Sequence, residues 1–349
     1  MIILKKCFLC FMEKKLQNNV ALQPLTTFRI AAKAKYFVEV QTTDELIAVI
    51  KDFKALPKLI LGGGSNLLFT KDFDGLVVKN SIKGIAIIDE NASTKTVAVS
   101  AGEIWHEFVL WAIEHDLAGI ENMSLIPGQV GASPIQNIGA YGAEIKDVCH
   151  SVEAIDLDTA ELRIFTAAEC HFGYRESVFK TIYKGKYCIT KVVFTLNKKP
   201  NFNINYGDIK NTLAEMQVTN LSLKTVSDAV IKIRSSKLPD YNVLGNAGSF
   251  FKNPSVEKSV VENLLLQYPL MPNYPQADGS VKVPAGWLIE QCGWKGKRVG
   301  NTGAHVSQAL VLVNYGGATG QEVMQLAAAI QQSVEEKFGI TISPEVNLV

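Results

Sequence analysis

Two clusters of glycine are the places where residue type and spacing in this chain point to chemistry. Residues 57–61 read as a strand that runs directly into Gly62-Gly63-Gly64-Ser65-Asn66. With no side chain at three successive positions, main-chain N–H groups can approach a phosphate there, and Ser65 and Asn66 add side-chain donors. The second cluster, 126–142, holds four glycines, two prolines and the polar Gln136 and Asn137 among apolar neighbours. Such content describes a buried loop, whose backbone polar groups must be satisfied by protein or by a ligand. Taken alone, the first cluster is more often a mere turn, and the second fits an ordinary structural loop as well as a cofactor cradle. Two familiar phosphate motifs do not apply. The first cluster lacks the third glycine and the following helix of a dinucleotide-binding βαβ unit, and no Gly-Lys-Ser/Thr occurs for a P-loop.

Strands and helices must hold these loops in place. Short β-type runs stand at 36–40, 58–61, 76–78, 85–88, 96–100, 152–157, 161–165 and 187–196. Between them, 43–53 carries Leu46, Val49, Ile50 and Phe53 at helical spacing, and 104–117 carries Ile104, Phe108, Trp111 and Ala112 before Gly119 supplies a stop. From 197 to 220 polarity rises, and Pro200, Gly207 and several Asn residues break any period, which marks a candidate boundary. A further helix is expected from near Ser227 and must end before Pro239. Thr319 and Glu322 form a T-x-x-E capping box ahead of the stripe Val323, Leu326, Ile330 and Val334, with Gly339 placed to close that helix. A β-rich tail, 340–349, follows. There is no internal repeat and no low-complexity tract.

Composition bounds what such loops can serve. With 349 residues, 47% of them hydrophobic, the chain is globular for most of its length, and about 150 residues per domain gives two or three domains. Thirty-five Lys plus Arg against 34 Asp plus Glu leave a net charge of +1, so no global field holds a nucleic acid and any anion must be bound locally. The 26 glycines match average usage of about 7%, so only their clustering is informative. Six cysteines are too few and too irregular for a disulfide framework, which favours a reducing, cytoplasmic setting. Cys7-x-x-Cys10 has no second pair or His pair at zinc spacing and reads as incidental, so no metal is expected. Lys5 and Lys6 interrupt the leading apolar run, no later segment reads as a membrane span, and Met12 is a second possible start.

The motifs LGGGSNLLF, SLIPGQVGASPIQNIGAYG, CHFGYRESVFK, KLPD, NAGSFFKNP, PNYPQADGSVKVPAGWLIEQCGWKG and SPEV, in this order, closely resemble the bacterial UDP-N-acetylenolpyruvoylglucosamine reductases (UDP-N-acetylmuramate dehydrogenases) of peptidoglycan precursor synthesis. The match runs from about residue 19 to the end of the sequence. The resemblance implies an α+β fold. Two subdomains of the vanillyl-alcohol-oxidase-like (PCMH-type) FAD-binding class would be followed by a C-terminal substrate-binding domain. It divides the chain into an N-terminal extension, 1–18, expected to be disordered; FAD-binding subdomains at 19–90 and 91–219; and a substrate-binding domain at 220–349. It also implies non-covalent FAD, NADPH as electron donor, a cytoplasmic monomer with no nucleic-acid or membrane partner, and a role in cell-wall biogenesis, cell shape and division.

Residue by residue, the resemblance assigns FAD contacts to Gly62, Gly63, Gly64, Ser65, Asn66, Ser133, Ile135, Gln136, Asn137 and Gly139. Gly63 stands where some relatives carry Glu, which removes a charge near the phosphates. Reduction of an enolpyruvyl ether needs a hydride at the terminal carbon, a proton at the adjacent carbon, and stabilisation of the developing enolate. Flavin supplies the hydride. Ser249 matches the family's proton donor. Arg175 would grip the substrate carboxylate in a bidentate fork, and Glu345, among apolar residues, would act as an acid with a raised pKa. Without the resemblance, a small-residue turn, a surface arginine and a salt-bridge partner would be the ordinary readings. Lys237 and Lys282 offer cations to a diphosphate, Tyr274 offers an aromatic face to uracil, and Tyr174, Tyr206, Asn253 and Gln308 complete the substrate set. The Tyr141, Tyr206 and Tyr274 loops suggest the subgroup in which a tyrosine-bearing loop closes over substrate, while His305 reads as structural. The chain stops four residues after Glu345, where many relatives continue, so packing around that carboxylate is expected to be looser.

Two alternatives stand beside this assignment. One is another FAD-linked oxidase or dehydrogenase of the same fold; no His lies in either glycine loop for a histidyl link, and the NAGSFFKNP and SPEV motifs fit the reductase better. The other is a non-catalytic UDP-sugar-binding protein, which a flavin bleached by NADPH and restored by the enolpyruvyl substrate would exclude.

Overall fold

The computed structural model describes residues 15–349, so Cys7, Cys10 and the Met12 question lie outside the described residues. The chain divides into two compact units. The first takes 34–63 and 73–234 with the start of the described chain, and the second takes 21–33, 64–72 and 235–349.

In the first unit a four-stranded sheet has the order Gln17–Ala21, Lys33–Val40, Phe73–Asn80, Lys58–Leu61. The last three strands run parallel, and helix Thr43–Asp52 is the crossover between the second and the fourth. The Thr42 side chain accepts from the Glu45 N–H to cap it, and Leu46, Val49 and Ile50 bury against Val38, Val40, Leu76 and Val78. Such a crossover must cover the sheet, because a parallel pair cannot be closed by a tight turn. An antiparallel sheet follows, in the order Leu162–Thr166, Cys149–Asp156, Tyr187–Asn197, Thr94–Ser100, Ile85–Glu90. Its inner face buries Val97, Val99, Val152, Val192 and Phe194 against Trp105 and Phe108 of helix Trp105–Glu114. Each expected β-run is present: 58–61 coincides with its strand, 161–165 lies one residue off, 152–157 starts and ends earlier as Cys149–Asp156, and the others run longer. The 104–117 helix is shorter than expected, because Asp116 (φ 54°) and Gly119 (φ 122°) take left-handed backbone after it.

The stretch 197–220, read as a boundary, carries helix Ile209–Glu215. Its Ile209 and Leu213 pack on Ala229, Val230 and Ile233 of helix Leu223–Lys237. That helix starts before Ser227, because the Ser222 hydroxyl caps it by accepting from the Thr225 N–H at 3.1 Å.

The second unit is built on the antiparallel sheet Gly245–Ser249, Val311–Asn314, Thr302–Ala304, Arg298–Val299. Helices Lys258–Gln267, Ala285–Gln291 and Gly320–Phe338 accompany it. The Thr319/Glu322 capping box is formed and Gly339 (φ 64°) ends the last helix as expected. Phe28, Ile30 and Leu68, from far upstream, enter the same core as Phe250, Leu288, Val323 and Ile330. The tail is mostly irregular, but its short strand Asn347–Leu348 pairs in parallel with Leu67–Leu68. Among the described residues no helix is long and apolar enough to cross a membrane, and no cluster of metal-binding side chains occurs.

Candidate active site

In the first unit the two glycine clusters meet. A Cβ on Gly63 would stand 2.7 Å from the Gly128 Cα, and one on Gly62 would stand 3.1 Å from the Gln129 Oε1. Glycine is therefore demanded by the approach of one loop to the other as well as by any ligand. Below the first loop, the half-buried Lys79 donates its ammonium to the Gly62 carbonyl. Burial pulls the Lys79 pKa down, with Lys83 adding to the fall and Glu39 opposing it. The second loop is sewn to the start of helix Trp105–Glu114: Trp105 N donates to Gly128 O at 3.0 Å, Val130 N to Glu103 O at 2.8 Å, and Gly131 N to Ala101 O at 2.9 Å.

Several residues assigned to FAD work inside the protein. Ser133 is fully buried and donates its hydroxyl to Val130 O at 2.7 Å. Asn137, buried and left-handed (φ 45°), donates Nδ2 to Glu144 Oε2 at 3.1 Å and to Gly173 O at 3.0 Å, and its Oδ1 accepts from Lys146 N. Ile135 O accepts from the Ser177 hydroxyl at 2.6 Å, and Gln136 Oε1 accepts from Lys180 at 3.1 Å. Those bonds brace the turn that bears Tyr174 and Arg175. Arg175 is half-buried and left-handed (φ 55°), donates to Gly139 O at 2.8 Å, and lies 5.4 Å over the Tyr174 ring. Left-handed non-glycine residues carry strain that surrounding contacts must hold, and here Asn137, Tyr141 and Arg175 all lie in or beside the second loop.

The Tyr141 and Tyr206 loops are tied together. Asn122 Nδ2 donates both to Tyr141 O at 2.9 Å and to Asn203 O at 2.7 Å, while Tyr206 itself is 60% exposed. Burial raises the Tyr141 pKa, which the nearby Arg234 opposes. Arg234 is a residue the sequence reading passed over. Its Nε is buried with no hydrogen-bond partner among the described residues, burial pulls its pKa down, and the Arg175 charge acts in the same sense. The available signal was its place on the helix: Val226, Val230 and Arg234 fall on one stripe, so a cation stands where the period calls for an apolar residue.

In the second unit, backbone bonds gather Gly64, Asn66, Ser249 and Glu345. Gly64 (φ 64°) packs against Leu25 and Thr26, and its carbonyl accepts from Thr27 N at 3.1 Å. The Thr27 hydroxyl donates to Asn246 O at 2.7 Å, and Asn246 N returns a bond to Thr27 O at 3.0 Å. Thr27 thereby joins the first glycine cluster to the strand bearing Ser249. On that strand a bulge between Asn246 and Ser249, with Gly248 at φ 71°, re-aims the half-buried Ser249. The next residue, Phe250, accepts at its carbonyl from Glu345 N at 2.7 Å. Glu345 is half-buried, and main-chain bonds hold its segment on both sides. Strand pairing follows it at once, and Val349 O accepts from Thr70 N at 2.8 Å and from the Thr70 hydroxyl at 2.9 Å.

The nucleotide candidates form two small groups in this unit, with one apart. Tyr274 and Lys282 are direct partners across a short strand pair. Asn253 Oδ1 accepts from Ala285 N at 2.9 Å, and Gln308 Oε1 lies 3.0 Å from where a Gly286 Cβ would be, so both flank the start of helix Ala285–Gln291. Lys237 is exposed at the end of its helix. His305 is half-buried, with its pKa lowered by burial.

A diphosphate fits the first cluster. The N–H groups of Gly63 and Gly64 have no protein acceptor among the described residues, the three glycines carry no side chains to exclude an anion, and Lys79 places a cation beneath them. Such a seat, on a sheet-and-helix fold without a dinucleotide-binding βαβ fingerprint, is compatible with FAD, and the family match over residues 34–165 makes the first part of the chain an FAD-binding domain of the PCMH-type class. Residues 34–165 match the family described as FAD binding domain, and residues 239–349 match UDP-N-acetylenolpyruvoylglucosamine reductase, C-terminal domain. The chain is 52% identical over 336 residues to the UDP-N-acetylenolpyruvoylglucosamine reductase of Flavobacterium johnsoniae, covering 96% of this chain and 100% of the relative. It is 50% identical to that of Amoebophilus asiaticus, covering 96% and 99%. A crystal structure of UDP-N-acetylenolpyruvylglucosamine reductase (MurB) from Thermus caldophilus shares the fold, with a TM-score of 0.66 at 22% identity over 95% of this chain and 99% of that one. The chain belongs to the UDP-N-acetylenolpyruvoylglucosamine reductase family, the MurB flavoprotein oxidoreductases (UDP-N-acetylmuramate dehydrogenases) of cell-wall synthesis.

Proposed function

We propose that this chain reduces the enolpyruvyl ether of UDP-N-acetylglucosamine-enolpyruvate to UDP-N-acetylmuramate with electrons from NADPH, as a cytoplasmic, monomeric enzyme. The observation that carries this reading is near-full-length identity of about half to reductases of that name. When bound, FAD supplies hydride transfer, from NADPH and then to the substrate double bond. Residues 62–66 seat its diphosphate, with Lys79 offsetting phosphate charge through the loop. The 133–139 loop would shape the cradle, where Ile135, Gln136 and Gly139 would hold the cofactor, while Ser133 and Asn137 keep the loop rigid.

Ser249 delivers the proton to the carbon next to the carboxylate, and the bulge before it sets the direction of its hydroxyl. Arg175 holds the carboxylate and the enolate charge, and Glu345 completes the acid pair. Arg234 adds a second cation beside Arg175, where an anion would relieve their mutual repulsion. Lys237, Lys282, Asn253 and Gln308 take the diphosphate and sugar, Tyr274 stacks on uracil, and Tyr174 flanks the carboxylate. The exposed Tyr206 loop, anchored to the Tyr141 loop, closes over substrate and excludes water in this reading, and that anchoring supports membership of the tyrosine-loop subgroup.

Half-reactions test the assignment. NADPH should bleach the flavin of the purified yellow protein, and the enolpyruvyl substrate should restore it. Ser249→Ala should slow that restoration by about 10²-fold or more while leaving bleaching by NADPH within a few-fold. Equal loss in both steps, or none in either, refutes the role of Ser249. A flavin reoxidised by oxygen but indifferent to the enolpyruvyl ether would point to an oxidase, and a protein that binds no FAD to a UDP-sugar-binding protein.

A further inference from the structure

We propose that Asn347 is a positioning residue that straps the diphosphate loop to Glu345, so that one hydrogen-bonded unit sets both. The proposal rests on the roles given above to Asn66 and Glu345. The Asn66 carbonyl accepts twice from Asn347, from its N at 3.1 Å and from its Nδ2 at 3.1 Å. With both lone pairs engaged, the peptide plane that leads out of the glycine cluster is fixed. In return, Asn66 Nδ2 donates to Glu345 O at 3.4 Å. Glu345 is held from its other side by the bond from its N to Phe250 O at 2.7 Å, one residue past Ser249. Beyond Asn347 the strap continues as parallel pairing, with Val349 N donating to Leu68 O at 3.0 Å. None of these bonds uses the Glu345 carboxylate. They orient its main chain and therefore the direction of the side chain. A shift of the cluster on binding a diphosphate would be carried through Asn66 to Glu345, and a shift of Glu345 would be carried back.

Asn347→Asp keeps size and backbone but turns a donor toward Asn66 O into a negatively charged acceptor, while Asn347→Ala removes that donor alone. In titrations of the apo-protein with FAD, followed by flavin fluorescence, the dissociation constant should rise about tenfold for the Asp variant and less for Ala. Flavin reoxidation by substrate should slow about tenfold with substrate KM within twofold, and its pH profile should shift, because Glu345 no longer presents the same surroundings. Gln331→Ala serves as the control. It removes the 2.7 Å bond from Gln331 Nε2 to Ile342 O, loosening the same tail without touching Asn66, and should leave FAD affinity and the pH profile unchanged. Wild-type FAD affinity and pH profile in both Asn347 variants, or an equal effect of Gln331→Ala, overturns the strap. If Asn347→Asp fails to fold, the Ala variant decides alone. Because FAD affinity is read without substrate, altered affinity in a protein that ignores the enolpyruvyl ether would sink the reductase reading and leave the strap standing.

Discussion

Alanine at Gly64 should damage folding and FAD binding together, and the structure sets the size of the effect. Gly64 lies at φ 64°, and a Cβ there would stand 2.3 Å from the Leu25 carbonyl oxygen and 2.8 Å from the Thr26 Cα. The left-handed backbone alone costs an alanine about 1 kcal/mol. Relief of the overlap requires backbone to move, because neither contact is the flexible end of a side chain, and overpacking of this kind costs about 1–3 kcal/mol. The total, about 2–4 kcal/mol, lowers the folded-to-unfolded ratio by about 30- to 1,000-fold. The displacement also strains the bond from Thr27 N to Gly64 O, and with it the Thr27–Asn246 pair behind Ser249. Gly185 supplies the comparison: at φ 73° it has nothing within 4 Å of its Cβ position, so Gly185→Ala pays the backbone term alone, about 1 kcal/mol. Urea denaturation of the apo-proteins, followed by tryptophan fluorescence, gives both differences, and FAD titration gives the functional one. A Gly64→Ala protein as stable as Gly185→Ala, with wild-type FAD affinity, would refute the reasoning.

Two further outcomes follow from titratable groups. Burial raises the Glu45 carboxyl, but the Lys15 ammonium at 2.6 Å and the Gln41 N–H at 2.8 Å outweigh it and hold it below its ordinary value. A depressed carboxyl stabilises the fold above its unfolded pKa and loses that contribution as pH falls through the folded one; Glu45→Gln should therefore flatten the fall of the urea midpoint as pH drops below about 5, and an unchanged slope there would contradict it. Burial pushes the thiols of Cys149, Cys170 and Cys188 up to about 12. With Cys7 and Cys10 changed to serine, iodoacetamide at pH 8 should leave those three unmodified by peptide mass spectrometry until denaturant is added, whereas rapid native labelling would show them accessible.

Local signals wrote much of the fold plainly into the sequence. Runs rich in Val and Ile marked the strands of the first unit, and Thr319, Glu322 and Gly339 delimited the last helix because capping and termination need only residues within a turn. The start of helix Leu223–Lys237 was missed because its cap, Ser222, precedes the apolar period. The first glycine cluster was visible because three glycines in succession follow a strand signal directly, a pattern that a plain turn shares. Its supports were not: Lys79 belongs to a neighbouring strand, and Thr27 reaches Asn246 across 219 positions, so no local pattern names either partner. Ser133 and Asn137 show the converse difficulty. Their side chains look like ligand donors in sequence, yet a buried, strained loop needs the same groups to satisfy itself.

The parallel pairing of Asn347–Leu348 with Leu67–Leu68 has a consequence for how the protein is made. Residues 347–348 must find a strand translated some 280 positions earlier, a separation of 281 for the bond between Asn347 and Asn66. The first unit has all its parts once residue 234 has emerged, whereas the second must wait for residues 235–349 while its upstream pieces, 21–33 and 64–72, stay tethered to an already folding neighbour. Pairing across such distances is slow, and domains mature in the order of synthesis. Biogenesis thus has a fixed direction, in which the Glu345 segment is laid down long after the strand that the residues following it pair with, and a ribosome that stalls before residue 347 leaves a chain whose Leu67–Leu68 edge is still open to a stranger's strand.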